Sequence, residues 1–142
     1  MTHILIINSR FYPEIAEELS KGAIGALKAN GATYEEVDVP GAFEVPATIK
    51  FALAKKAYDG FVALGCVIRG ETNHYDYVCG ESARGLMELS IRENVAIGYG
   101  ILTTETYEQA KIRADVKEGD KGGGAAQTCL RMIALKTQFG VK

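Results

Sequence analysis

Along the chain, short apolar runs alternate with longer segments in which apolar residues recur every three or four positions. Ile4 to Asn8 is the first run, short enough for a buried strand. Pro13 then suits the first turn of a helix, where its missing N–H costs nothing. Ile15, Ala16, Leu19, Ala23, Ala26 and Leu27 follow at helical spacing, and Gly31 closes the segment. Thr33 to Val39 reads as a second strand. The stretch Val39 to Pro46 holds two prolines and a glycine and reads as a loop. A helix from Pro46 to Lys56 leads into a third strand, Phe61 to Ile68. Arg69 to Asn73 is a polar exit, followed by a helix over 74–93 and a fourth strand over 95–102. Thr103 to Thr106 offers an N-cap and an acidic first turn for a helix reaching Val116. Lys117 to Gly124, charged and glycine-rich, reads as a turn before a last helix from Ala125 to Phe139.

Strands that read as apolar throughout, each followed by a helix, imply a parallel sheet covered on both faces. Right-handed crossovers make this a doubly wound, flavodoxin-like α/β fold, a three-layer sandwich around a four-stranded sheet, with one domain over 1–142. Such sheets bind ligands outside the carboxyl ends of their strands, so the strand exits are where chemistry is expected.

Composition narrows the classes. Of 142 residues, 47% are apolar, and the net charge is −2 with no run of five or six like charges, which argues against a nucleic-acid surface. No apolar stretch approaches the roughly 18 residues of a membrane span. The start, Met1 to Ile7, reads as a strand and not as a signal peptide. Cys66, Cys79 and Cys129 are odd in number and widely spaced, and His3 and His74 are the only histidines, so neither a disulfide framework nor a metal site is expected. A reducing cytoplasm is the expected compartment.

Each strand exit admits a plain reading and a functional one. Phe11, just past strand one, is either a hydrophobe stapling the following helix or a stacking platform for a planar ring. Glu44, past strand two, is either a first-turn acid favoured by the helix dipole or an acceptor for a polyol, with Gly41 letting a ligand approach the backbone. Gly65 to His74, leaving strand three, joins a small residue, a hydroxyl and a helix N-terminus, a ready anion site. His74 is either a structural imidazole or a general acid–base near neutrality. Arg113 and Lys121 are each ordinary surface charges alone, and together a potential phosphate clamp. The glycine run 122–124 fits neither a Walker loop nor a dinucleotide fingerprint.

Taken in order, Arg10-Phe11, Val39-Pro40-Gly41-Ala42-Phe43-Glu44-Val45-Pro46, Val67-Ile68-Arg69-Gly70 with Thr72 and His74-Tyr75-Asp76-Tyr77-Val78, Gly100-Ile101-Leu102-Thr103, Glu108-Gln109-Ala110, Arg113-Ala114 and Lys121-Gly122 resemble the lumazine synthase family over essentially the whole chain. The resemblance implies condensation of 5-amino-6-(D-ribitylamino)uracil with 3,4-dihydroxy-2-butanone 4-phosphate, without metal or redox cofactor. It implies that Phe11 stacks on the pyrimidine, that main-chain groups of Ala42, Phe43, Cys66, Val67 and Ile68 read the ring and chain, and that Glu44 holds ribityl hydroxyls. Glu71, Thr72, Arg113 and Lys121 would bind the butanone phosphate, and His74 would shuttle protons. Tyr99, Arg113 and Lys121 would come from a neighbouring subunit, so active sites would lie at subunit interfaces.

Members form homopentamers, and some build a hollow 60-subunit shell from twelve of them; the short N-terminus leans towards the free pentamer. Partners are then small-molecule substrates and further copies of the chain, with riboflavin synthase as a candidate and neither nucleic acid nor membrane. Three departures bear on substrate affinity: Tyr12 and Asp120 stand where many members have Asn, and no proline precedes strand four. The rivals are a non-catalytic lumazine- or flavin-binding protein of the same fold, and a flavodoxin or phospho-receiver. Asn8 to Tyr12 lacks the hydroxyl-rich loop or acidic cluster those last two need.

Overall fold

The computed structural model describes residues 1–142. In chain order its elements are β1 (His3–Ser9), α1 (Pro13–Ala29), β2 (Thr33–Val39), a 3₁₀ turn (Ala42–Glu44), α2 (Val45–Leu53), β3 (Gly60–Ile68), α3 (His74–Arg92), β4 (Ile97–Thr104), α4 (Tyr107–Ala114) and α5 (Lys121–Gln138). The four strands form one wholly parallel sheet in the order β2-β1-β3-β4. This is the doubly wound, flavodoxin-like arrangement expected from the alternation of strand and helix.

Successive strand residues face opposite sides of the sheet, which splits the core in two. Ile4 and Ile6 of β1 pack with Val62, Leu64, Leu19, Leu27, Ala126 and Cys129 beneath α1, α4 and α5. Leu5 and Ile7, their neighbours in the chain, pack with Phe61, Ala63, Val45, Ile49, Leu86 and Ile101 beneath α2 and α3. β1 and β3 are buried along nearly their whole length, as a central pair covered on both faces must be. β2 departs from the expected apolar pattern: it is an edge strand, mostly exposed, carrying Glu35, Glu36 and Asp38. Charged side chains on an open edge discourage pairing with stray strands. Here they are also used within the chain, Glu36 Oε1 accepting from Asn8 Nδ2 at 2.9 Å and from Ser20 Oγ at 2.7 Å.

The structure corrects the glycine-rich turn. Lys121 to Gly124 is the first turn of α5 rather than a loop, and the helix begins four residues before the expected Ala125. Asp120, in the left-handed region at φ 44°, caps it, its carboxylate accepting the Gly123 N–H at 3.1 Å. A methyl group on Gly122 would overlap the Leu19 carbonyl of α1, and one on Gly98 would overlap the Ala125 carbonyl of α5. The glycines therefore mark where α5 lies directly against α1 and β4, an approach only a missing Cβ permits. Smaller shifts occur elsewhere. α2 ends at Leu53 rather than Lys56, β4 runs over Ile97–Thr104 rather than 95–102, and α4 ends at Ala114 rather than Val116. Thr106 caps α4 in a full capping box with Gln109. No helix is long and apolar enough to cross a membrane.

Candidate active site

β1 lies between β2 and β3, so the chain leaves β1 towards one neighbour and reaches the other only after a further crossover. That reversal opens a crevice at the carboxyl ends of the strands. A cavity of about 570 Å³ occupies it, lined by the exits of β1, β2 and β3 and by the first turn of α3. This is within the range of pockets that hold a small organic ligand.

From β1 come Phe11 and Tyr12. Phe11 is 68% exposed and packs into neither core cluster, which disfavours the staple reading. From the β2 exit come Gly41, Ala42, Phe43 and Glu44. The 3₁₀ turn tightens this loop, with the Glu44 N–H donating to the Gly41 carbonyl at 3.2 Å. The Glu44 carboxylate folds back over Gly41, its Oε1 3.3 Å from where a Cβ would stand. It has no hydrogen-bond or ion-pair partner within the chain, so both oxygens remain able to accept. Phe43 is 55% exposed.

From β3 come Cys66, Val67 and Ile68. They close the floor of the cavity, and their outward main-chain groups lie beyond the last paired residues of β1. Burial, and secondarily Cys79, pushes the Cys66 thiol up to about 12, so it is a neutral lining group rather than a nucleophile. The loop to α3 brings Gly70 and Thr72 to the cavity, and Thr72 Oγ1 accepts the His74 N–H at 3.3 Å. His74 is the first residue of α3; its imidazole is exposed and has no partner in the chain. The N-cap Asn73 makes no side-chain cap bond; with the His74 N–H on Thr72 and the Asp76 N–H on the Asn73 carbonyl at 3.0 Å, the Tyr75 N–H is the one in the first turn left without a partner.

Arg69 is not available to a ligand. Its Nε donates to Glu105 at 2.8 Å, its Nη1 lies 3.4 Å from Asp76, and its guanidinium covers the Tyr75 ring at 4.3 Å. These contacts fasten the turn carrying His74 to the end of β4.

Four expected site residues stand outside this cavity. Glu71 is in the exit loop but faces solvent. Tyr99 lies on β4, opposite Ala63, 45% exposed; burial, and secondarily Cys79 and Tyr75, raises its phenol pKa. Arg113 lies in the last turn of α4, its Nη1 donating to the Gln109 carbonyl at 3.0 Å, and Lys121 begins α5. Gly119 folds against the Arg113 backbone, so these two cations flank one turn, yet neither lines the cavity, nor does any other Lys or Arg. Tyr12, noted in the sequence only as a departure from the family, lines it, as do Gly70, Tyr75 and Val78, which were not expected as site residues. Val78 and Tyr75 could have been read from the helix period, since both share the face of α3 that starts at His74. No group of three His, Cys, Asp or Glu converges to hold a metal ion.

Comparison with known proteins identifies the relatives. A family model described as 6,7-dimethyl-8-ribityllumazine synthase matches residues 1–137. The chain is 53% identical to a Mesorhizobium japonicum protein named 6,7-dimethyl-8-ribityllumazine synthase 1, over 99% of this chain and 88% of that one. It is 54% identical to the Rhizobium meliloti protein of the same name, over 99% and 95% of the two lengths. The Bartonella tribocorum 6,7-dimethyl-8-ribityllumazine synthase is 52% identical over 97% of this chain and 92% of its own. With the cavity formed by the very segments that resemble the family, this chain belongs to the 6,7-dimethyl-8-ribityllumazine synthase family.

Proposed function

We propose that this chain, one domain over residues 1–142, works in the cytoplasm as a lumazine synthase. It condenses 5-amino-6-(D-ribitylamino)uracil with 3,4-dihydroxy-2-butanone 4-phosphate to give 6,7-dimethyl-8-ribityllumazine, inorganic phosphate and two waters. One observation carries the reading: Phe11, the free carboxylate of Glu44, the β3 exit and the unpartnered imidazole of His74 share one cavity. The exposed Phe11 ring stacks on the pyrimidine. Main-chain groups of Ala42, Phe43, Cys66, Val67 and Ile68 read the ring and its side chain, and Glu44 accepts from ribityl hydroxyls.

The chemistry asks only for positioning and proton transfer. The arylamine adds to the ketone and loses water to form an imine. Phosphate is then expelled, and a second loss of water closes the ring. His74, within the cavity and free of other partners, takes and returns the protons. Thr72 and the free Tyr75 N–H of α3, with Glu71 beside them, receive the phosphate of the butanone.

A phosphate cradle without Lys or Arg is incomplete. The missing charge is supplied by Arg113 and Lys121 of a neighbouring copy, with its Tyr99 covering the ring. What supports this is that none of the three lines the cavity of its own chain, together with exposed Phe51, Tyr77, Met87 and Ile91 on α2 and α3. The assembly is a pentamer; a 60-subunit shell and an association with riboflavin synthase are further states for sedimentation to test. Purified protein mixed with both substrates and no added cofactor should develop the absorbance of the lumazine. Tight lumazine binding without turnover would instead mark a binding protein, and neither binding nor turnover would overturn the reading of the site.

A further inference from the structure

An exposed phenyl ring makes a poor platform unless something holds it. A side chain with open space around it exchanges among staggered rotamers, whereas stacking needs one face presented in one orientation. Phe11, at 68% exposure, has no core packing to select a rotamer. It does have Tyr12. The two ring centroids are 5.0 Å apart with planes at 70°, an edge-to-face pair.

Tyr12 is itself anchored. It is half-buried against the core beneath α1 and meets the Tyr107 ring at 6.2 Å and 66°. Tyr107 Oη in turn donates to Glu14 Oε2 at 3.0 Å. Glu14 lies in the first turn of α1 and Tyr107 begins α4, so the aromatic run is tied to both helices. Its free end is Phe11.

We propose that Tyr12 is a positioning residue, holding the Phe11 ring in the orientation that stacks on the substrate pyrimidine; the inference rests on the proposed function above. Because Tyr12 also borders the cavity, direct contact with the ligand is the competing explanation, and coupling between the two residues separates them.

The experiment titrates 6,7-dimethyl-8-ribityllumazine into the assembled protein, followed by its fluorescence. The proteins compared are wild type, Tyr12→Leu, Phe11→Ala and the double variant. Leucine keeps the apolar packing of Tyr12 but removes the ring. Tyr12→Leu should weaken binding by about two- to tenfold when Phe11 is present, the range that one aromatic pair supplies. In the Phe11→Ala background the same change should cost less than about twofold. Tyr12→Phe should restore affinity to within about twofold of wild type. In turnover the loss should fall on KM for the pyrimidine, with KM for the butanone phosphate unmoved.

Equal losses in both backgrounds, or no loss in either, would overturn the proposal. Should Tyr12→Leu fail to fold, Tyr107→Phe, which cuts only the hydroxyl from Glu14, carries the same test: a smaller loss that needs Phe11. Wild-type protein that does not bind the lumazine would overturn the reading of the site and this proposal with it, whereas equal losses overturn the proposal alone.

Discussion

His74 and Glu44 have no partner in the chain, unlike Arg69, Asp76 and Glu105 nearby. Arg69, Asp76 and Glu105 satisfy one another, while the imidazole and the Glu44 carboxylate face the cavity unpaired. General acid–base groups supply about 10²–10⁴-fold of rate, and the substrate phosphate can itself relay protons. His74→Ala should therefore slow turnover towards the lower part of that range without abolishing it, measured as kcat at saturating substrates; a loss of less than about threefold would remove the histidine from the mechanism. The thiols make a contrasting case. Burial, and secondarily Cys79, takes Cys66 to about 12, while burial takes Cys129 to about 12 against opposing hydrogen bonds from the backbone. Both thiols are neutral in the fold and become charged on unfolding once the pH passes their ordinary value of 9.0. Their contribution to stability is complete below that value and declines as pH rises from 9 towards 12. Denaturation midpoints should fall across that window, and less steeply in Cys129→Ala once its lower baseline is subtracted. At pH 8 iodoacetamide should label Cys79 before either buried thiol.

Among the elements, α5 depends most on residues that look like loop formers. Its first turn is Lys121-Gly122-Gly123-Gly124, a run that loses helix propensity at three positions. Contact compensates, because Gly122 lets α5 touch α1 backbone to backbone and Gly98 does the same for α5 and β4. Gly122→Ala improves local propensity yet forces the helices apart. It should destabilise the protein by about 1–3 kcal/mol, the usual cost of overpacking, in urea denaturation. Gly124, with nothing within contact range of a Cβ, is the internal control: Gly124→Ala should be neutral or stabilising by up to about 1 kcal/mol. Equal behaviour of the two variants would show that the close approach does not carry α5.

At the scale of the molecule, the proposal that two copies complete each site has a test that needs no structure of the assembly. If Arg113 serves the cavity of its neighbour, His74→Ala and Arg113→Ala variants damage opposite halves of a shared site. Each homo-oligomer should be poorly active, whereas mixed oligomers formed by co-refolding contain some interfaces in which an intact His74 faces an intact Arg113. Activity above the sum of the two parents is expected. No gain on mixing, with hybrid oligomers verified by mass, would return Arg113 to its own chain. Sedimentation of the same samples measures the size of the assembly.

How much of this could be read from the residues varies with the range over which each feature is decided. The order of strands and helices was legible because side-chain period, the proline at the start of α1 and the N-cap offered by Thr103 to Thr106 act within a few residues of one another. Phe11, Glu44 and His74 were legible as candidates because each follows a strand directly, and a doubly wound sheet gathers such exits at one end. The turn at 117–124 misled because glycine has two uses, turn and close packing, and only the contact of Gly122 with Leu19 of α1 distinguishes them. Tyr12 was legible only as a departure from the family, because its anchor Tyr107 reaches it only after three crossovers have been laid down. The sequence by itself thus determined the elements, the fold class and the family, since those rest on local period and on motifs contiguous in the chain. Only the tertiary structure decided which exits share a cavity, which charges are already spent on each other, and that Arg113 and Lys121 stand away from it, because each depends on atoms far apart in the chain brought into contact by burial.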